Sequence, residues 1–203
     1  MFKRLASEAL GLSDLGVIVS PKDYDKVDAD DYLFHEDSEK IFFLIKSKKD
    51  EYCFTNLALI HVDGDSAVSS KRSIRRYDYA SHHVSDVSIE TAGTIDRDVE
   101  LKFSLADGPT FSIDVRKDQL EILKDIYKAL HSIGKIQHRN ELSQQNVLPC
   151  LDALGAMHKI SEVESEATLV KHYQALLHAV NTMQLDRYTQ RDFGPVFEKY
   201  LRS

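Results

Sequence analysis

Val99, Leu101, Phe103 and Leu105 alternate with Glu100, Lys102 and Ser104, and beyond Asp107-Gly108-Pro109 the alternation resumes through Phe111, Ile113 and Val115. A period of two places one face of each segment on a core and the other in water. The two runs therefore predict an antiparallel hairpin, and a slip of one residue in its register would turn the whole apolar set outward. From Asp118, a candidate cap, the period changes. Leu120, Leu123, Tyr127 and Leu130 follow in steps of three and four, Ile122, Ile126 and Ile133 widen the stripe, and Gly134 marks the expected end of a helix.

Upstream of the hairpin, residues 41–46, 52–55, 58–62, 70–77 and 84–90 also read as strands, with a turn at Asp63-Gly64-Asp65. Together these make about seven short strands, the pattern of a small antiparallel barrel or sandwich. Before them, Leu5, Ala9, Leu12 and Leu15 recur at helical spacing with Gly16 as a stop, so a short amphipathic helix is expected to open the chain. The acidic stretch 23–37, with Tyr24, Val27, Tyr32, Leu33 and Phe34 embedded in it, reads as a loop with a helical turn anchored by its aromatics.

After the helix the sequence turns polar, and 137–145, with His138, Arg139, Asn140 and Glu141, reads as a linker. The domain boundary accordingly falls between 1–136 and 137–203. In the tail, Leu148, Leu151, Leu154 and Met157 describe one amphipathic helix, with Pro149 tolerable in its first turn. A longer helix is expected over 162–185 through Leu169, Tyr173, Leu176, Val180 and Met183, so the tail is read as a helical hairpin. Gly194-Pro195 then opens a last short turn carrying Val196, Phe197, Tyr200 and Leu201, apolar enough to pack. Two short helices with continuous apolar stripes need a further surface, either a second copy of the chain or their own β domain.

The chain carries 33 acidic and 26 basic residues, a net charge of -7, so as a whole it repels phosphate backbones and anionic headgroups and points away from nucleic acid as a partner. Cys53 and Cys150 form no paired motif and read as reduced thiols. The first ten residues meet Glu8 before any apolar run of signal-peptide length, and no run of about 18 apolar residues occurs. A cytoplasmic location is the expectation.

Lys46, Lys48 and Lys49 sit in a loop between strands where clustered cations can hold phosphate oxygens, but Asp50 and Glu51 follow at once, as in a solvated turn. Lys71, Arg72, Arg75 and Arg76 form the strongest basic run; on a strand Lys71 and Arg75 face one way and Arg72 and Arg76 the other, which suits a charged edge as well as an anion contact. None of the nine histidines stands at metal-ligand spacing: His82 and His83 point apart on a strand, and His172 and His178 are too far round a helix. Gly11-Leu12-Ser13-Asp14-Leu15-Gly16 imitates a phosphate loop but lacks its Lys and Ser or Thr. No nucleophile elbow, cysteine with a base or facing carboxylate pair is evident, so neither an enzyme nor a cofactor is expected.

Phe54-Thr55-Asn56, Leu59-Ile60-His61-Val62-Asp63-Gly64 and, above all, Ile89-Glu90-Thr91-Ala92-Gly93-Thr94-Ile95-Asp96-Arg97-Asp98-Val99-Glu100-Leu101 resemble the bacterial pleckstrin-homology (PH) domain family. In the last of these, Gly93 permits a bend, while Asp96 and Asp98 suit turn chemistry. The chain departs from the family before Val84, where many members show Pro-Tyr and this sequence has Ala80-Ser81, followed by His82-His83. The resemblance covers roughly the first two thirds of the chain, and the tail is similar to a helical oligomerisation extension on one branch of the family. It implies an α+β fold: a PH-like, seven-stranded antiparallel barrel or sandwich capped by a C-terminal helix, with an appended helical hairpin. It also implies homo-oligomers. The amphipathic tail offers Leu148, Leu151, Leu154, Leu169, Tyr173, Leu176 and Val180 as the residues that join the copies, and an unidentified protein or peptide is expected as a further partner. Peripheral binding to anionic lipid through Lys46, Lys48, Lys49 and the 71–76 run is the alternative.

Overall fold

The structure is a computed structural model that describes residues 14–64, 72–91, 98–146, 149, 151–152, 155–156, 166–182 and 190–201. Several expectations therefore lie outside the described residues: the opening helix through Leu5, Ala9 and Leu12, Asp65 of the first turn, Gly93 and Asp96 of the bend, and Met183 of the long helix. The described residues contain eight strands: β1 (Val17–Ile18), β2 (Ile41–Lys46), β3 (Glu51–Thr55), β4 (Ala58–Gly64), β5 (Arg72–Asp78), β6 (Val84–Thr91), β7 (Asp98–Leu105) and β8 (Thr110–Arg116). They form two antiparallel sheets, β1-β2-β3-β4-β5 and β6-β7-β8, not closed into a barrel. This is the expected α+β PH-like sandwich with one more strand than the sequence suggested. Two residues are too few to show a period, which hid β1.

The β7–β8 hairpin has the predicted register, with Phe103 opposite Phe111, Leu101 opposite Ile113 and Val99 opposite Val115. Its apolar face is buried, and Asp107, with φ 56°, turns the chain between the strands. Phe103 stacks on Phe111 at 5.0 Å and packs on Phe54 of the facing sheet at 5.9 Å. At the other end Gly16 bridges the sheets: its N–H donates to the Asp114 carbonyl at 2.7 Å, and its own carbonyl accepts from Arg116 N–H at 3.1 Å. A Cβ on Gly16 would stand 2.7 Å from Ile45 Cγ2 and 2.9 Å from the Asp114 oxygen. The glycine read as a helix stop is thus also what lets two backbones meet.

The first sheet is covered on both faces. Leu44, Cys53, Ile60 and Val62 point away from the second sheet and form a core with Val19, Val27, Ala29 and Leu33. The last three residues belong to the acidic stretch, which folds as 3-10 turns at Pro21–Lys26, Asp28–Tyr32 and His35–Asp37. The single helical turn expected here is a chain of three.

Helix α1 (Leu120–Gln145) follows a 3-10 turn at Lys117–Gln119 and buries Leu123, Ile126, Ala129, Leu130, Ile133 and Gln137. Two expectations are corrected here. Ile122 lies outside the buried stripe and is 47% exposed. The helix does not stop near Gly134, and 137–145 is helical rather than a linker, held in part by the Ser143 hydroxyl donating to the Arg139 carbonyl. Gly134 serves packing: a Cβ there would lie 2.4 Å from the Val84 carbonyl oxygen. A polar stretch without a breaker simply continues the helix.

The chain divides into two compact units. One takes in the described residues up to Gly134 together with those from Arg191 onward; the other comprises those from Lys135 to Gln190. The second unit contains the end of α1, helical residues at 149, 151–152 and 155–156, and α2 (Glu166–Thr182), the appended helical hairpin. Helix α3 (Gly194–Tyr200) belongs to the first unit, with Phe193 and Phe197 buried.

The packing of Gly134 makes an unusual prediction. In an exposed helix, Gly→Ala gains about 1 kcal/mol. Here the added methyl meets a backbone carbonyl, so Gly134→Ala is expected to lose roughly 1–3 kcal/mol, as overpacked sites do. Urea unfolding of the two proteins checks the sign.

Candidate interaction surfaces

Among the described residues, the cations singled out in the sequence have unlike surroundings. The turn after β2 is tight: Ser47 N–H donates to the Asp50 carbonyl at 2.8 Å, and the Ser47 hydroxyl accepts from Asp50 N–H at 3.0 Å. This geometry sets Lys46 directly opposite Glu51. Their side chains form an ion pair on the face covered by the acidic segment, 6% and 2% exposed, so Lys46 is not a surface charge. Glu51 also accepts from the backbone N–H groups of Asp28 at 3.3 Å and Ala29 at 2.9 Å. Lys48 and Lys49 remain exposed on the turn.

On β5, Arg72 and Arg76 face the acidic segment as the alternation required. Arg72 pairs with Asp28 at 3.3 Å and donates to the Lys49 carbonyl at 3.2 Å. Arg76 donates to Glu39 at 2.9 Å and Asp78 at 2.7 Å and lies over the Phe34 ring at 4.5 Å. Burial opposes its charge, but the hydrogen bonds to Glu39 and Asp78 outweigh that and hold the guanidinium above its ordinary pKa. Glu39, with a fully buried side chain, also accepts from Phe34 N–H at 2.8 Å and the Thr55 hydroxyl at 2.5 Å. Arg75 is exposed on the other side, and Lys71 lies outside the described residues. Among the described candidates, Lys48, Lys49 and Arg75 are exposed.

The face of the first sheet turned toward the second carries a row that sequence reading missed. Tyr52 stacks on His61 at 4.6 Å, both meet the Phe111 ring edge to face, and Tyr77 does the same at 5.7 Å. His61 Nε2 lies 3.1 Å from Asp50 Oδ1. Burial, and then the nearby Asp50 and Asp63 carboxylates, push the Tyr52 phenol up. The signal was present as aromatics and histidine on facing strands, but their register was needed to join them. Cys53 is buried, and burial followed by the Glu51 and Glu39 carboxylates raises its thiol well above the ordinary value, the opposite of an activated nucleophile. Among the described residues no group of three or more His, Cys, Asp or Glu is arranged to hold a metal ion, and no helix is long and apolar enough to cross a membrane.

Of the tail residues, Leu148 and Leu154 lie outside the described residues, as does the Leu169 side chain. Leu151, Leu176 and Val180 are half-buried, whereas Tyr173 is 67% exposed. Val170 at 48% and Leu177 at 45% extend the exposed stripe of α2 on either side of it.

A two-sheet sandwich capped by a helix, without a catalytic constellation among its described residues, defines a PH-like module. The chain belongs to the bacterial PH domain family, whose profile matches residues 9–133. The uncharacterized protein YvbH of Bacillus subtilis (strain 168) is 51% identical over 205 residues, covering 100% of both chains. The uncharacterized protein YjqA of the same strain is 35% identical over 99 residues, 48% of this chain and 76% of its own. A crystal structure of a PH domain containing bacterial protein from Exiguobacterium sibiricum 255-15 matches with a TM-score of 0.84 at 42% identity, covering 93% of this chain and 100% of that one. The last coverage carries the likeness beyond the family match and into the tail.

Removing one member of a buried ion pair leaves the other charge unmatched. Lys46→Met is therefore expected to cost about 3–5 kcal/mol, and the joint change Lys48→Ala, Lys49→Ala only about 0.5 kcal/mol or less. Chemical denaturation of both variants measures the contrast.

Proposed function

We propose that this protein is a non-enzymatic PH-like interaction module that self-associates, with the domain over 1–136 presenting a surface to a protein or peptide in the cytoplasm and the helices beyond 137 joining the copies. The observation that carries this reading is the stripe of Val170, Tyr173 and Leu177 on α2. Three large apolar side chains, each close to half exposed or more, recur in steps of three and four along one helix face. Leu176 and Val180 flank them, and Leu148, Leu151, Leu154 and Leu169 are the other residues assigned to the interface. A second copy is the fitting occupant because it brings the same self-complementary stripe, as a two-fold contact requires. Multivalency then lets weak contacts made by each β domain add up. The lipid alternative is weaker, since Lys46 and Arg76 are already engaged by buried carboxylates.

Light scattering after size exclusion tests the reading on the full chain. The unmodified protein is expected to be a multimer at micromolar concentration, and Tyr173→Glu with Leu177→Glu to lower its mass while leaving the circular dichroism spectrum unchanged. A monomeric parent, or a variant of unaltered mass, overturns it.

A further inference from the structure

The chain leaves its first compact unit at Gly134 and returns to it at Arg191. The returning segment is recognised in detail. Phe193 meets Tyr79 edge to face at 5.6 Å, and Phe197 stacks on Phe42 at 5.4 Å. Phe193 N–H donates to the Asn56 carbonyl at 2.8 Å, and the Asn56 side-chain amide donates to Asp192 Oδ2 at 3.2 Å. The other Asp192 oxygen accepts from Gly194 N–H at 2.7 Å and so opens α3. Lys40 reaches Glu198 at 3.5 Å, and the Tyr200 hydroxyl lies 3.0 Å from that of Ser132. Asn56 is itself held by the β-sheet, its side-chain oxygen accepting from Lys40 N–H at 2.9 Å. The slot is therefore built by the β domain, and its ligand is a short peptide: an acidic residue, an aromatic beside it, and a second aromatic one helical turn on.

We propose that this slot is an interaction site between copies, in which the 192–200 segment of one chain seats against Phe42, Asn56 and Tyr79 of another. The proposal rests on the self-association reading and adds a second, chemically distinct contact to it. Each copy carries one slot and one segment, so exchange keeps every aromatic contact and hydrogen bond, which makes swapping a low-cost route to assembly. The segment is joined to the rest of its unit only through residues 135–190, the part of the chain assigned to meeting a neighbour. Once copies are held together there, a neighbour's segment is present at high effective concentration. Charge complementarity, Lys40 with Glu198 and the Asn56 amide with Asp192, serves a neighbour's segment as well as the chain's own.

The full-length, unsubstituted chain allows the test. Chains labelled with nitrogen-15 and unlabelled chains are mixed in denaturant, refolded together and treated with a carbodiimide that joins Lys40 to Glu198, and the cross-linked peptides are weighed by mass spectrometry. Exchange predicts pairs with one heavy and one light partner, approaching about half of all Lys40–Glu198 pairs in an equal mixture of freely swapping chains. Phe197→Ala, treated in the same way, is expected to lose most of them. Light scattering on the same samples separates the two readings. A multimer containing only same-label pairs, or no Lys40–Glu198 pair, overturns exchange and leaves self-association standing; a monomer overturns self-association and exchange with it.

Discussion

Two buried carboxylates organise this domain. Glu51 gathers Lys46 from the neighbouring strand and two backbone N–H groups from the acidic segment, and Glu39 gathers Arg76, Thr55 and the backbone of Phe34. Each is thereby given several donors, the condition under which a charge tolerates burial. The consequence is architectural. The 3-10 turns between residues 21 and 37 have little helical cooperativity of their own, and these anchors, with Val27, Ala29 and Leu33, hold them on the sheet.

This arrangement also bears on what a PH-like domain of this kind recognises. Cations that a linear reading assigns to the solvent belong to the covering layer: Lys46 lies beneath it, and Arg72 and Arg76 tie its acidic residues to the edge strand. Three of the domain's cations are thus used inward. The net charge of -7 over the whole chain likewise works against attraction to a phosphate-rich surface.

Much of the fold was legible in the sequence because strands with one buried face advertise their period, and the 99–115 hairpin is the clearest case. Elements without a period were not. Residues 137–145 are too polar to reveal whether they form a solvated helix or a linker, and Gly134 has the same letter whether it ends a helix or packs one. The candidate site was less legible still. Lys46 and Glu51 sit in a run of six residues, all but one charged, that has the look of a turn, and only the hairpin geometry places them opposite each other and inside. The Tyr52–His61–Phe111 row depends on register between distant strands, and the partner of Phe193 is farther away still.

That last distance also orders events during synthesis. Asn56 and Asp192, which bond to one another, are separated by 136 residues. Contacts at such separation form late, because the chain entropy of closing the loop must be met first. The sheets and α1 can assemble while the ribosome is still working, but the Phe42 and Tyr79 side of the domain stays uncovered until residues 192–200 have been made. For that interval the nascent domain exposes an aromatic surface, and the fold is completed only when a segment made long after the sheets returns to cover it.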